Sequence, residues 1–415
     1  MNDLCCCILI RESEEQSGLV VDVALALKAK GHEPTFLTCH HDDSHCFPET
    51  TDGSFPVIVV GDWFPRSIFN RCFALCAYIR LILAALWLIM FSELQYDVIF
   101  CDQVSACIPF LRIKSAPVLF YCHFPDQLLT TRESLLKQLY RAPLDWLEEA
   151  TTGMADAVLV NSNFTAGVFR QTFRSLANKP VEVLYPSLHT EAVSKQAIDL
   201  ESITGLIPPS ADIIFLSINR FERKKNIALA IQALALIPDM LSSNELWQRV
   251  HLVIAGGYDK RVEENVEYFE ELRGLVLNLN LASKVSFVRS INDQQKRALF
   301  HVCRAVVYTP ANEHFGIVPL EAMYASRPVI ACDSGGPLET IEHESTGLLV
   351  APECEKFGLA MARFAEAEEL TKRMGRTGKE RVVKEFSFDA FAAKLEQIMT
   401  QCIERKQGRR TSVVN

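Results

Sequence analysis

The chain has no excess of positive charge: 42 Lys and Arg stand against 51 Asp and Glu, for a formal net charge of −9. No basic stripe carries interleaved aromatic residues, so a nucleic-acid partner is not expected. No Asp-x-Asp triplet occurs, and no essential metal or other cofactor is expected. Internal repeats and low-complexity tracts are also missing, which excludes solenoids and disordered arrays. Met1 to Ile10 has no basic leader, and acidic Glu12, Glu14 and Glu15 follow it, so a cleaved secretory signal is not expected.

Cysteine is not scarce, but its 14 occurrences have no regular spacing, and Cys101, Cys107 and Cys122 sit in apolar runs. Core thiols in a reducing compartment account for this better than a disulfide framework or a zinc site. His40, His41, Asp42, Asp43, His45 and Cys46 include metal-ligand types, but they fall in a polar loop without a second pair at helical spacing. Asn163-Phe164-Thr165 fits a glycosylation acceptor, which has no meaning for a cytosolic chain.

What is present points to an α/β enzyme. With 415 residues and 49% apolar content the chain can bury two cores. Strand-like runs at Cys5–Ile10, Pro34–Thr38, Asp97–Cys101, Pro117–Tyr121 and Ala157–Val160 alternate with helical patterns at Gly18–Lys30, Ser134–Ala150 and Thr165–Phe173. Gly205, Pro208, Pro209 and Ser210 then interrupt the pattern, and Ile213–Ile218 opens a second set continued by His251–Ala255, Val285–Val288 and Val306–Tyr308. The expected domains are 1–205, 206–385, and 386–415 as a final helix packing back toward the first domain, followed by a short basic, frayed tail.

One long hydrophobic run stands out, Phe73 to Phe91, interrupted only by Arg80. As a helix it covers roughly 28 Å, about the thickness of a bilayer's hydrocarbon core. Strand-like segments lie on both sides of it in sequence, so a span would divide one sheet across a membrane. The preferred expectation is a helix pressed into one leaflet, with Tyr78 and Trp87 near the interface and Arg80 snorkelling. The alternative is a helix buried wholly within the protein.

The most informative stretch is Glu313-His314-Phe315-Gly316-Ile317-Val318-Pro319-Leu320-Glu321, with Ser334-Gly335-Gly336-Pro337-Leu338-Glu339 after the next strand. A carboxylate, a glycine turn and a second carboxylate opening an apolar helix suit a sugar joined to a diphosphate. N–H groups at a helix start attract phosphate, and carboxylates accept hydrogen bonds from sugar hydroxyls. The plainer reading is two solvated acids. Their place after a buried strand favours the site, since open α/β sheets bind ligands where strands end.

Together with Asn219-Arg220-Phe221-Glu222-Arg223-Lys224-Lys225, the seven-residue spacing of Glu313 and Glu321 resembles the retaining glycosyltransferase family 4. Cys101-Asp102-Gln103-Val104-Ser105-Ala106-Cys107 and Phe120-Tyr121-Cys122-His123-Phe124-Pro125-Asp126 are similar to its mannose-transferring members. The resemblance runs from about Val20 to about Phe391. It implies a GT-B fold, two facing Rossmann-like doubly wound domains with an interdomain cleft. It also implies transfer of mannose from GDP-mannose to a dolichol-diphosphate-linked oligosaccharide, first α-1,3 and then α-1,6, at the cytosolic face of the endoplasmic reticulum membrane. Other mannosyltransferases of that assembly are candidate partners.

By the same resemblance the candidate catalytic residues are His123, Arg220, Lys225 and Glu313. The donor-binding residues are Gly256, His314, Phe315, Gly316, Ile317 and Glu321. Arg220 and Lys225 would offset charge on the departing diphosphate, Glu313 would hold sugar hydroxyls and Glu321 the ribose. Gly256 and Gly257 would let the nucleotide approach, and Asn161 and Ser162 are further candidates. Solvated basic residues and a structural histidine are the plainer alternatives.

Two positions depart from the family. Its members carry a Gly-Gly-Ala-Glu-like loop after the first strand, where this chain has Arg11-Glu12-Ser13-Glu14-Glu15-Gln16-Ser17-Gly18. Side chains there would obstruct backbone approach, and the acids would repel a diphosphate. Arg289 stands where many members have glycine near the nucleobase. An active enzyme, or a catalytically weak relative acting through membrane or partner binding, both remain open at this stage.

Overall fold

Mostly apolar runs three to seven residues long, short enough for strands, build two parallel sheets in the computed structural model, which describes residues 4–10, 18–42, 46–68, 71–130, 135–188 and 198–414. The first sheet contains β1 (Cys5–Ile10), β2 (Glu33–Thr38), β3 (Val57–Val59), β4 (Val98–Asp102), β5 (Val118–Cys122), β6 (Ala157–Val160) and β7 (Val181–Val183). Its order is β3-β2-β1-β4-β5-β6-β7, with every pair parallel. The second contains β8 (Ile213–Ile218), β9 (Val250–Gly256), β10 (Val285–Arg289), β11 (Ala305–Tyr308), β12 (Val329–Cys332) and β13 (Gly347–Val350), in the order β10-β9-β8-β11-β12-β13. Every residue of β4, β5, β8 and β9 is buried, as parallel strands covered by helices on both faces require. Both orders reverse direction beside their first strand, between β1 and β4 and between β8 and β11. That crevice is where doubly wound sheets receive ligands.

The chain divides into one unit of Met1–Ser187 with Phe388–Asn415 and another of Leu188–Ser387. The boundary therefore lies earlier than the expected 205/206. The Gly- and Pro-containing stretch that reads as a linker falls within the second unit instead, and the residues just before it are held there: Gln294 donates to Asp199 at 2.6 Å and Gln295 to the Ser202 carbonyl at 3.3 Å. The expected frayed tail is helical, since one helix runs from Phe388 to Val414. Its apolar side joins the core of the first unit with Val20, Val23 and Leu27, and Lys406 donates to Asp156 and to the Ala116 carbonyl.

The hydrophobic run forms the helix Phe73–Met90 between β3 and β4. Since β2, β1, β4 and β5 are neighbours in one sheet, this helix does not cross a bilayer. Cys76, Tyr78, Leu81, Ala84, Ala85 and Leu88 bury one side of it, Ile79, Ile82 and Leu86 are half-buried, and Phe73 and Met90 are exposed. Two expectations are corrected here. Tyr78 lies in the core rather than at an interface, and Arg80 points inward with its side chain 2% exposed. Its guanidinium donates to the carbonyls of Cys39 and Gly61 and to Asp62, at 2.7, 3.3 and 2.8 Å. Those acceptors lie at strand ends beside the helix, and they capture the cation before it can reach solvent.

The helix Leu135–Thr152 reverses the usual polarity. Arg141, Asp145 and Glu148 are buried, whereas Leu135, Leu139 and Trp146 are 82%, 74% and 70% exposed. The buried charges have work inside: Glu148 accepts the N–H groups of Asp126 and Gln127 at 2.7 and 3.1 Å, and Arg141 donates to Asp126 at 3.0 Å. They hold the turn that follows β5. The two helices touch where the Leu75 N–H donates to the Tyr140 hydroxyl at 3.2 Å.

Candidate active site

In the second unit, the segments leaving β8 and β11 carry the lysine and the first carboxylate to either side of the switch point. After β8, Phe221 is fully buried against Tyr258 and Phe269, which anchors the turn through Arg223–Lys225. The Thr309 hydroxyl, just past β11, donates to the Lys225 carbonyl at 2.8 Å. Lys225 Nζ then donates to Glu313 Oε2 at 2.5 Å. Both side chains are largely buried, so the pair is charge-assisted in a low-dielectric setting. Burial pushes the Glu313 carboxyl upward, but the Lys225 charge and hydrogen bond outweigh it and leave it below its ordinary value. The Tyr308 phenol lies near the same carboxylate; burial, reinforced by Glu313, holds that phenol well above its usual range.

The Glu313 loop depends on the Gly-Gly turn. Gly335 has φ +68°, and a Cβ there would lie 2.5 Å from the Glu313 carbonyl oxygen, while one on Gly336 would lie 2.2 Å from the Phe315 oxygen. The Gly336 N–H donates to the Glu313 carbonyl at 2.7 Å. These glycines are needed by the chain's own backbone. Gly256 is the same: its missing Cβ would fall 2.0 Å from the Asn219 carbonyl oxygen, so the chain's own packing requires glycine there.

Gly316 caps the helix Ile317–Tyr324, so the helix opens four residues before Glu321. Phe315 buries its ring against Phe386. First-turn amides have no acceptor within a helix and suit phosphate oxygens. Burial holds His314 below its ordinary pKa, which keeps it neutral beside Glu313 and Lys225. Glu321 is not a solvated acid: it is largely buried and accepts from Lys296 Nζ at 2.6 Å. Arg220 is 54% exposed and pairs with Glu222 at 3.2 Å, its stem lying over Gly257. Arg223 and Lys224 form surface pairs with Glu267, Glu271 and Glu222. Arg289 ends β10 with its guanidinium 4.9 Å from the Tyr258 and Phe269 rings, beside a concavity also lined by Asp259, Lys260 and Ser290.

His123 belongs to the first unit, one residue beyond β5. Its Nε2 lies 2.8 Å from Asp102 Oδ1 at the end of β4. Burial works to lower its pKa, and the Asp102 charge and hydrogen bond overcome this and raise it. Gln103 accepts the His123 N–H at 3.1 Å, and Asn161 donates to the His123 carbonyl at 3.1 Å, so neighbouring strand ends clamp the backbone. Ser162 instead caps the next helix through the Thr165 N–H. Of the polar loop, His40 faces Asp62 and His41 faces Thr50, while Asp43 and His45 lie outside the described residues. The acidic segment Arg11–Ser17 also lies outside them. Sequence reasoning missed Lys296 and the Tyr308 hydroxyl. Lys296 leaves no local signal; Tyr308, a polar-tipped residue closing an apolar strand, leaves a weak one.

Two Rossmann-like units, with a lysine–carboxylate pair at the second switch point, are the architecture of a GT-B glycosyltransferase. Solved structures agree on the fold. The sucrose-phosphate synthase of Thermosynechococcus elongatus matches with TM-score 0.72 at 22% identity, covering 97% of this chain and 100% of that one. Anabaena Alr3699/HepE in complex with UDP matches with TM-score 0.70 at 17% identity, covering 96% and 100%. Residues 17–192 match the Glycosyltransferase Family 4 model and residues 203–381 the Glycosyl transferases group 1 model. The alpha-1,3/1,6-mannosyltransferase ALG2 of Homo sapiens is 49% identical over 389 residues, 93% of this chain and 92% of that protein. The Saccharomyces cerevisiae protein of the same name is 43% identical over 353 residues, 79% of this chain and 69% of that protein. The chain belongs to glycosyltransferase family 4 and is similar to the α-1,3/1,6-mannosyltransferases within it.

Proposed function

We propose that this chain transfers mannose from GDP-mannose to a dolichol-diphosphate-linked oligosaccharide with retention of configuration, adding an α-1,3 and then an α-1,6 mannose. The observation that carries the reading is the Lys225–Glu313 pair beside the helix that opens at Ile317. In this mechanism Glu313 accepts hydrogen bonds from mannose hydroxyls while its lysine partner lies next to the departing diphosphate. Lys225, Arg220 and the first N–H groups of the helix supply positive potential as negative charge develops on GDP, so the leaving group needs no cation of its own. The departing phosphate oxygen takes the acceptor hydroxyl's proton on the same face. His123, held by Asp102, contacts the donor sugar.

Work at the cytosolic surface of the endoplasmic reticulum membrane is supported by two helices of the first unit. Phe73–Met90 is covered on one side only, and Leu135–Thr152 turns leucines and a tryptophan outward. Such faces insert at the headgroup boundary, where a lipid-linked acceptor resides.

The test is incubation of the purified chain in liposomes with GDP-mannose and a mannosyl-chitobiosyl diphosphate lipid, read by mass. One or two added hexoses are expected. Retained GDP-mannose binding without addition would favour instead the reading in which the acidic segment Arg11–Ser17 silences the enzyme.

A further inference from the structure

The Glu321 carboxylate is divided. Oε1 accepts from Lys296 at 2.6 Å, whereas Oε2 is buried and has no hydrogen-bond partner among the described residues. Buried carboxylate oxygens are normally satisfied, and an orphan on a carboxylate read as donor-binding points to a hydrogen-bond donor that arrives with the ligand. Lys296 is itself fixed. It lies in the first turn of the helix Asp293–Val302, whose register is set by a capping box in which Asn292 accepts the Gln295 N–H and Gln295 accepts the Asn292 N–H.

We propose that Lys296 is a positioning residue for nucleotide binding: its ammonium turns Glu321 and keeps it ionised, so that Oε2 receives the ribose hydroxyls of the nucleotide. The inference rests on the reading of Glu321 as the ribose-binding carboxylate. Burial raises the pKa of Glu321 and Lys296 opposes that rise. The other charged or titratable groups facing Glu321 are Asp293 on the helix of Lys296 and Tyr308 at the end of β11; neither supplies positive charge. Lys379, from the helix Glu368–Glu385, lies over the Tyr324 ring further along and does not replace Lys296. Without the ammonium, Glu321 takes up a proton at higher pH. A protonated carboxyl has lost acceptor capacity toward two hydroxyls.

The experiment is titration of the full chain with GDP by calorimetry from pH 5.5 to 8.5, with melting followed by circular dichroism. Lys296→Met is expected to weaken GDP binding about tenfold near neutral pH, with affinity returning as pH rises, and Lys296→Arg to restore it. In a Glu321→Gln background, Lys296→Met should have no further effect. Additive losses in the double variant would mean that the lysine acts on the nucleotide directly, and would overturn the proposal. Wild-type affinity in Lys296→Met alongside weakened binding in Glu321→Gln would overturn it while leaving the ribose reading standing. Unchanged affinity in Glu321→Gln would remove both.

Discussion

Two helices of this chain are apolar along nearly their whole length, and they live in different surroundings. Ile227–Leu236, in the second unit, has every position buried or half-buried except Gln232. The helix Cys354–Glu366 presses against it, close enough that a Cβ on Gly358 would lie 3.2 Å from the Ala233 carbonyl. Phe73–Met90, in the first unit, has only one side covered, and the rest remains half-buried or open. The two compositions are alike, so composition did not decide between them; the presence of a second covering layer did. A helix that is apolar all round needs partners on all sides. Where the fold supplies only one, the other must come from outside the chain. The inverted helix Leu135–Thr152 continues this contrast, with its charges spent on the turn after β5 and its leucines left outward.

The comparison breaks most directly with one charge placed in each setting. Ala230→Glu puts an unpaired carboxylate into the fully covered helix and should cost at least about 3–5 kcal/mol, enough to unfold the second unit, which melting by circular dichroism would record. Leu139→Glu, on the outward face of the first unit, should leave the melting temperature within a few degrees of wild type. Equal destabilisation by both would mean that Leu139 is covered in solution and that the contrast is false.

A second variant uses the fact that the covered helix begins two residues after Lys225. Rigid packing of Ile227, Leu229 and Ala230 holds that lysine against Glu313. Lys225→Met should preserve the fold and reduce mannose transfer by roughly 10²- to 10³-fold, the size expected for loss of one preorganised charge at a leaving group. Transfer within threefold of wild type would remove the lysine from the mechanism.

A third concerns the partly covered helix itself. Arg80→Leu leaves the carbonyls of Cys39 and Gly61 without their buried donor, and about 1–3 kcal/mol of stability should be lost by denaturant titration. A neutral outcome would show that water replaces the guanidinium and that this helix tolerates solvent on its inner side as well.

The difference between these regions also marks what could be read before the structure. Buried parallel strands such as Ile213–Ile218 and Val98–Asp102 are continuous apolar runs, so their existence and order in the chain were plain from residue type. Three-residue edge strands, Val57–Val59 and Val181–Val183, carry too little pattern to stand out. The extent of Phe73–Met90 was legible to within a residue, but the direction of Arg80 was not, because its acceptors lie 18 to 41 residues away in sequence. The site divides in the same way. Glu313, the glycine turn and Glu321 form one contiguous motif that announces itself. Lys296 with Glu321, and Asp102 with His123, meet only after strands align, and nothing local marks them.

The smallest effect expected on stability is the one that best tests what covers the open faces. Trp146 is well exposed on the inverted helix, so Trp146→Glu removes little packing and should change stability by no more than about 0.5 kcal/mol. Combined with Leu86→Glu on the half-buried outer side of Phe73–Met90, it places two carboxylates where a headgroup boundary would lie. Flotation with liposomes containing anionic lipid should then lose most of the bound protein, because apolar insertion is lost and the new charges are repelled. GDP binding, proposed for the second unit, should be unchanged in the same preparation. If the double variant floats as wild type does, these faces are not the membrane contact. Their apolar surface would then have to be covered by another protein, a case that crosslinking from position 146 would distinguish from lipid.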